Sequence, residues 1–244
     1  GCVLAAVVGI IIGYPALRLK GIYLAIVTFA FGELIRIVFL NWKGLTHGDD
    51  GLLNIPVPTL GSLDFGSKLN YAYLVLVFVW VVIFSLDKLV HSRVGRTFIA
   101  IREDEALAEA MGINAMKYKL FAFTVAALFA GLGGSLYAHY MQFISPVSFT
   151  GVDSMFFIAA VIIGGMGTLV GPAVGAVILT TLPEILRSAE DYTYVIFGLI
   201  LILAIIFMPT GLVGFAKSAK ARWRGQREVG ERKVAVESHG DTAG

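Results

Sequence analysis

Charged residues are scarce in this chain: Asp, Glu, Lys and Arg together make up only 15% of its 244 residues. Soluble domains carry about 25% charged residues, so the shortage argues against a soluble fold. The single cysteine, Cys2, excludes an internal disulfide and fits no metal site. Hydrophobic residues make up 57% of the sequence, and the mean hydropathy is +0.83. The composition therefore indicates a membrane protein.

Motifs that carry enzyme chemistry are also missing. The sequence contains no G-x-x-x-x-G-K-[ST], so it has no P-loop with which to hydrolyse ATP. H-E-x-x-H, C-x-x-C and G-x-S-x-G are absent as well, and no two histidines stand at metal-ligand spacing. We therefore expect no catalytic residue, no cofactor, no metal site and no nucleic-acid partner.

Apolar runs long enough to cross a membrane fill most of the chain. A helix needs about 20 residues, at about 1.5 Å each, to cross a hydrocarbon core of about 30 Å. The alternating segments of about ten residues that would indicate a barrel do not occur. We predict an all-α fold, a polytopic transmembrane helical bundle. The predicted spans are 2–17, 22–40, 71–89, 118–138 and 193–209, with a broken region at 154–187.

Lys and Arg in the loops predict the orientation, because cytoplasmic loops are richer in them. The polar tail at 215–244 carries seven Lys and Arg residues. If this tail is cytoplasmic, the loop at 18–20 and the segment 91–119 are cytoplasmic too, whereas the loop at 41–70 is external. We expect residues 1–214 to form the transmembrane domain and the tail to form a separate cytoplasmic segment.

Residues 91–119, HSRVGRTFIAIREDEALAEAMGINAMKYK, form a charged segment between two predicted spans. From Ala100 to Met111 nearly all residues are good helix formers, and Gly112 supplies a C-terminal stop. Apolar and charged residues mix along this stretch, which predicts one short amphipathic helix. Its acidic run disfavours anionic lipid, so we expect the helix to dock in a groove of a cytoplasmic protein.

The region 154–187 consists of two short apolar pieces separated by glycines and a proline. It forms either two full spans with a tight turn or a re-entrant hairpin. Broken helices often mark a transport path, but close helix packing explains the same glycines equally well. Asp153, just before the first piece, is expected to be its N-cap. The residues assigned to a candidate pathway are Gly164, Gly165, Gly167, Gly171 and Pro172.

Small residues recur at four-residue spacing on two of the predicted spans. Such stripes let helix backbones approach closely in lipid, where the hydrophobic effect no longer drives helices together. They predict a tightly packed bundle and carry no information on a substrate. The two stripes are Ala5, Gly9 and Gly13 on the first span, and Ala126, Ala130, Gly134 and Ala138 on a later one.

Ionisable residues are few within the predicted spans. Glu33 and Arg36 stand at i, i+3 on one helix, a spacing at which their side chains can pair inside the membrane. We favour a structural ion pair over a site on the substrate pathway. In the loop that follows, Asp49 and Asp50 belong to a turn or to an external contact surface.

Several segments together resemble a known family. Residues 95–149, GRTFIAIREDEALAEAMGINAMKYKLFAFTVAALFAGLGGSLYAHYMQFISPVSF, are similar to the permease subunits of bacterial branched-chain amino-acid ABC importers, the LivM type. So are residues 17–36 (LRLKGIYLAIVTFAFGELIR), 46–56 (THGDDGLLNIP) and 164–176 (GGMGTLVGPAVGA). The resemblance follows the order of the chain up to about Gly214.

The resemblance implies a short cytoplasmic helix that couples the permease to ATP-hydrolysing subunits. The general pattern of such loops, E-A-A-x-x-x-G, is kept loosely here, because Leu107 replaces the second alanine. Carried onto this chain, the coupling helix falls on about Glu103–Gly112. The residues implied are Glu103, Asp104, Glu105, Ala106, Ala108, Glu109 and Gly112.

The resemblance also implies an importer of several subunits in the bacterial inner membrane. The partners would be a second related permease, two ATP-binding subunits, an external substrate-binding protein and the surrounding lipid. A permease for urea or short amides of the same superfamily is an alternative, as are an ATP-independent secondary transporter and a membrane scaffold. Because the chain begins at Gly1 directly in an apolar run, we expect further N-terminal spans.

Overall fold

A computed structural model describes residues 1–60, 63, 64, 66–185, 198 and 202 of the chain. The tail at 215–244 and all but two residues of the predicted span at 193–209 lie outside these residues. The helices are α1 Cys2–Ala16, α2 Ile22–Asn41, α3 Lys43–Thr46, α4 Lys68–Val90, α5 Arg93–Glu103, α6 Glu105–Ala110, α7 Ala115–Met141, α8 Gly151–Gly164 and α9 Gly171–Ile185. The strands are β1 Leu52–Leu53, β2 Thr59–Leu60, β3 Leu63–Asp64 and β4 Phe143–Ile144, with 3-10 turns at Gly48–Asp50 and Pro146–Ser148.

Four helical segments are long and apolar enough to cross a membrane: Ile22–Asn41, Lys68–Val90, Ala115–Met141 and Pro146–Gly164. The first three coincide with predicted spans, and the predicted all-α membrane fold is confirmed. The fourth is longer than the sequence suggested, because the turn at Pro146–Ser148 precedes α8 and brings the apolar segment to 19 residues.

The chain divides into two compact units, Gly1–Asp153 and Ser154–Gly244. In the first unit, α1 lies antiparallel against α7 through small residues. A Cβ at Gly9 would lie 2.6 Å from the Cβ of Ala127, and a Cβ at Gly131 would lie 2.5 Å from the Cβ of Ala5. Side chains larger than hydrogen would separate these backbones, so the glycines allow the close approach that packing in lipid requires.

The contact falls on the predicted stripe of α1 but not on the predicted stripe of α7. Ala126 and Ala130 are exposed, and among the described residues nothing lies within 4 Å of a Cβ built at Gly134. Small residues at four-residue spacing occur on two faces of this 27-residue helix, so spacing alone does not select the contact face. The α7 residues that lie against the glycines of this contact are Leu120, Phe123, Ala127, Gly131 and Ser135.

At the end of the bundle where α7 finishes, two loops are joined by backbone pairing. Strand β1 pairs antiparallel with β4, so that Leu52 lies opposite Ile144. The buried Ser145 donates its hydroxyl to the carbonyl of Asp49 at 3.1 Å. Gly51, at φ +66°, packs its α-carbon directly against the carbonyl of Ile144. The connections 42–67 and 142–150 therefore lie together at this end.

In the second unit, α8 and α9 form an antiparallel hairpin closed by glycines. A Cβ at Gly164 would collide with the carbonyl oxygen of Gly171, and one at Gly175 would collide with that of Ala160. Ala160, Ile163 and Leu179 form the buried core of the hairpin. Between the helices, Gly165 and Gly167 adopt φ +115° and +86°, a region that favours glycine.

The start of α8 differs from the prediction in one respect. The carboxylate of Asp153 accepts hydrogen bonds from the backbone N–H of Thr150 at 2.9 Å and from its hydroxyl at 2.7 Å. The N–H of Asp153 in turn donates to the Thr150 hydroxyl at 3.4 Å. This reciprocal pattern is a capping box, in which Thr150 is the N-cap and Asp153 is the third residue of the helix. The assignment of Asp153 as the N-cap was therefore wrong.

Candidate coupling site

In the charged segment 91–119, the stretch 100–111 is divided between two helices, α5 and α6, where the sequence predicted one. They meet at Asp104, whose backbone is extended at φ −154° and ψ 110°. Its carboxylate accepts a hydrogen bond from the N–H of Leu107 at 3.0 Å, which makes it the N-cap of α6. An aspartate that bonds the backbone in this way stabilises a helix start and disfavours a helix interior. The prediction of one continuous helix from Ala100 to Met111 is therefore wrong.

The C-terminal end of α6 agrees with the prediction of a stop at Gly112. Gly112 adopts φ +84°, and its N–H donates to the carbonyl of Glu109 at 2.9 Å. The N–H of Ile113 donates to the carbonyl of Ala108 at 3.1 Å. These two hydrogen bonds form a Schellman motif, the common way to end a helix at a glycine. Caps therefore define both ends of the six-residue α6.

One face of α6 packs on the membrane bundle. Ala108 is 4% exposed and clusters with Ile101 of α5 and Ala115 of α7. Ile113 and Tyr118 pack against this cluster. The cluster is small, but it joins α5, α6 and α7. It therefore determines which face of α6 is buried.

Glu105 adds an ion pair on the same side of α6. Its Oε2 lies 2.7 Å from Nζ of Lys119 on α7, and its Oε1 lies 3.9 Å from Nζ of Lys20, between α1 and α2. The hydrogen bond from Lys119 and the positive charges of both lysines hold the pKa of Glu105 below its ordinary value, against an opposing effect of burial. The carboxylate is therefore charged at neutral pH.

The opposite face of α6 carries large apolar side chains in water. Leu107 is 63% exposed and Met111 is 78% exposed. They stand at i, i+4, a spacing that places them on one side of the helix. Glu109 is exposed beside them, and it forms no ion pair within the described part of the chain. Side chains of this kind on a short helix form a surface that fits a groove of a partner.

Two of the seven predicted coupling residues contact the bundle, and the other five are exposed. Glu105 and Ala108 contact the bundle. The exposed residues are Glu103, Asp104, Ala106, Glu109 and Gly112. Within the described residues, the sole ion-pair partner of Glu103 is its exposed neighbour Arg102, at 2.8 Å, and such surface pairs contribute little to stability.

Sequence reasoning missed the partners of Glu105. Lys20 and Lys119 are distant from Glu105 in sequence, and no local spacing indicates that they meet it. It also left Leu107 and Met111 out of the predicted coupling residues, although their i, i+4 spacing was a usable signal.

The other predicted site residues lie elsewhere in the chain. On α2, Nε of Arg36 donates to both carboxylate oxygens of Glu33 at 3.0 Å, so the two side chains form an ion pair within an apolar helix. The five residues of the candidate pathway lie at the α8–α9 turn. Among the described residues, no group of three His, Cys, Asp or Glu side chains could hold a metal ion.

The apolar helices and the charged end define an integral membrane protein. The chain belongs to the family of branched-chain amino acid transport system permease components, whose pattern matches residues 1–205. This confirms the resemblance stated from the sequence.

Named relatives agree with the family. The chain is 36% identical over 233 residues to the high-affinity branched-chain amino acid transport system permease protein LivM of Escherichia coli (strain K12), a match that covers 86% of this chain and 55% of that protein. It is 26% identical over 230 residues to the probable branched-chain amino acid transport permease protein LivM of Methanocaldococcus jannaschii, covering 86% and 66%. It is 30% identical over 192 residues to the permease protein LivH of Escherichia coli (strain K12), covering 72% and 60%.

The chain spans about half the length of the first of these relatives, 55% in the case of the Escherichia coli LivM protein. No solved structure matches the chain.

Proposed function

We propose that this chain is a membrane-spanning permease subunit of an ATP-driven importer of branched-chain amino acids. The observation that carries the proposal is the family match over residues 1–205, supported by relatives named as permeases of that transport system. These 244 residues hold no P-loop, which agrees with ATP hydrolysis on separate partner subunits. The subunit itself moves substrate and is not an enzyme.

The α6 helix is the element through which the ATP-binding subunits act. Its ends are capped, one face is packed on α5 and α7, and the other presents Leu107 and Met111 to water. A groove on an ATP-binding subunit that takes up these two side chains would remove their apolar surface from water. Exposed Glu103, Asp104 and Glu109 border this surface.

The protein lies in the bacterial inner membrane, and the end of the bundle that carries α6 faces the cytoplasm. The basic tail at 215–244 lies on the same side. Two observations support this orientation. Lys20 reaches Glu105, so the basic loop between α1 and α2 lies at the same end as the charged segment 91–119. The loop at 41–70, at the opposite end, contains only two Lys or Arg residues, Lys43 and Lys68.

The partners follow from the transport system. A second, related permease completes the membrane part, which agrees with the two different permease proteins, LivM and LivH, among the relatives. Two ATP-binding subunits dock on the cytoplasmic face, and an external binding protein delivers the amino acid. The α8–α9 hairpin contributes to the substrate pathway through its turn, with Gly164, Gly165, Gly167, Gly171 and Pro172.

Uptake into vesicles tests the proposal as a whole. The full-length subunit is reconstituted with its companion permease, the ATP-binding subunits and the binding protein. We expect leucine uptake that requires ATP and that excess urea does not reduce. A relative at 23% identity is named as an autoinducer 2 import permease, so autoinducer 2 is a second competitor. Uptake that persists without the ATP-binding subunits would contradict the proposal.

A pair of substitutions tests the docking surface separately. Leu107→Asp places a charge on the exposed face of α6, and Ile99→Asp places the same charge on an exposed apolar position of α5. We expect Leu107→Asp to reduce co-purification of the ATP-binding subunits by tenfold or more, since anchor residues of an interface are worth about 2 kcal/mol. Equal loss in both variants would show that the surface is not confined to α6.

A further inference from the structure

Glu105 differs from the other acidic residues of the charged segment because it points towards the bundle. Its side chain is 29% exposed, and each carboxylate oxygen lies near a different element. Lys119 belongs to α7, whereas Lys20 belongs to the connection between α1 and α2. The three residues form the Glu105 cluster. In this cluster α6 contacts α7 through Lys119, and it contacts the connection that follows α1 through Lys20.

The helices beneath the Glu105 cluster are joined along their length. Gly9 and Gly131 bring the backbones of α1 and α7 into direct contact. Two helices packed at this distance shift together, because close-packed interiors are not continuously deformable. A displacement of Lys119 therefore carries α1 with it, and a displacement of Lys20 carries α7.

The geometry points to Glu105 as a positioning residue that ties the coupling helix to the α1–α7 pair. This inference rests on the proposed function, in which α6 receives the motion of the ATP-binding subunits. Glu105 does not contact those subunits in this arrangement; it transmits the displacement of α6 to Lys119 and Lys20.

Two lysines give this connection a property that one ion pair lacks. The carboxylate lies in hydrogen-bond contact with Lys119 and 3.9 Å from Lys20. When α6 shifts, Glu105 can exchange one lysine for the other and remain paired. An uncompensated charge at a partly buried position is unfavourable, so the exchange keeps α6 attached through the movement.

Charge reversal in the complete transporter tests the inference. The variants are Glu105→Lys, Lys119→Glu and the double variant that carries both. The matched control is Lys117→Glu on the same helix, because Lys117 is exposed and makes no ion pair within the described residues. The readout is the amount of leucine taken up per ATP hydrolysed, with the amount of each subunit in the membrane measured in parallel.

We expect each single reversal to lower this ratio about fivefold, the factor that corresponds to about 1 kcal/mol for this partly exposed ion pair. The double variant should regain most of the ratio, and Lys117→Glu should behave as the unsubstituted protein. The ATP-binding subunits should remain bound in all variants. The inference is overturned if the double variant stays as low as the single ones, or if Lys119→Glu and Lys117→Glu are equal.

A second measurement does not depend on transport. Hydrogen exchange of the amides of α6 is followed in the purified full-length subunit alone. We expect Glu105→Gln and Lys119→Glu to exchange about fivefold faster and Lys117→Glu to be unchanged. Unchanged exchange in the first two variants would contradict the role of Glu105. ATP-independent uptake by the unsubstituted protein would instead contradict the proposed function, so the two failures are distinguishable.

Discussion

The α8–α9 hairpin and the α6 helix are both short, yet contacts of opposite kinds hold them in place. In the hairpin, glycine α-carbons rest against backbone carbonyls, and no room is left for a side chain. The α6 helix is capped at its ends, and it is attached to α5 and α7 by a small apolar cluster. One carboxylate between two lysines adds a second attachment. The first arrangement suits lipid, where close packing replaces the hydrophobic effect. The second suits a short helix at the boundary between the bundle and water.

The largest loss of stability is expected from a substitution that separates the two helices of the α8–α9 hairpin. Gly175→Val adds a side chain where a Cβ already collides with the carbonyl of Ala160, so the two helices must separate. We expect a loss of stability of about 1–3 kcal/mol, measured as a lower thermal midpoint of the subunit in detergent. The matched control is Gly133→Ala on α7, where nothing described lies within 4 Å of the new Cβ. A control that destabilises as much as Gly175→Val would contradict the packing argument.

A smaller effect is expected at the start of α6. Asp104→Ala removes the side chain that accepts from the N–H of Leu107, and loss of an N-cap costs about 1 kcal/mol. Hydrogen exchange should become faster in the amides of α6 and stay unchanged in α7. Glu103→Ala removes an acidic neighbour that caps no helix, so it serves as the control. Identical exchange in the two variants would show that the cap does not hold α6.

The smallest expected effect is a dependence on pH. The pKa of Glu105 lies below its ordinary value of 4.5 because Lys119 donates to it and because Lys119 and Lys20 are positive. A lowered pKa means that its contribution to stability is complete above pH 4.5 and is lost as the pH falls through the lower, folded-state value. The pair is partly exposed to water, so we expect this contribution to be about 0.2–1 kcal/mol, as for ion pairs at the surface.

Thermal unfolding at pH 7 and in stepwise more acid buffers measures this effect. The unsubstituted protein should lose more stability on acidification than Glu105→Gln, which has no carboxylate to protonate. Curves that run parallel for the two proteins would mean that Glu105 contributes nothing through its charge.

Much of the fold followed from the sequence, because the length and composition of the apolar runs determine where helices cross a membrane. Three predicted spans match α2, α4 and α7 within a few residues. The break at Asp104 was missed because helix propensity, summed over a window, outweighed a single capping residue. The correct face of α7 was missed because two of its faces carry small residues at the same spacing.

The candidate site was only partly accessible from the sequence. The charged segment, its helix and its glycine stop could be read from composition and propensity. The inward direction of Glu105 could not, because it depends on Lys20 and Lys119 being brought together by the packing of α1 on α7. Contacts between residues far apart in sequence form only when the chain folds, so local sequence patterns do not predict them.

The length of α6 has a consequence for assembly. Six residues form less than two turns, far below the length at which a helix is stable on its own in water. Its shape is therefore conditional on α5 and α7 being in place. A protein that recognises α6 as a helix binds only to chains whose membrane part has already folded. Under the proposed function, the surface that α6 offers to the ATP-binding subunits therefore exists only in a chain in which α5 and α7 have already packed.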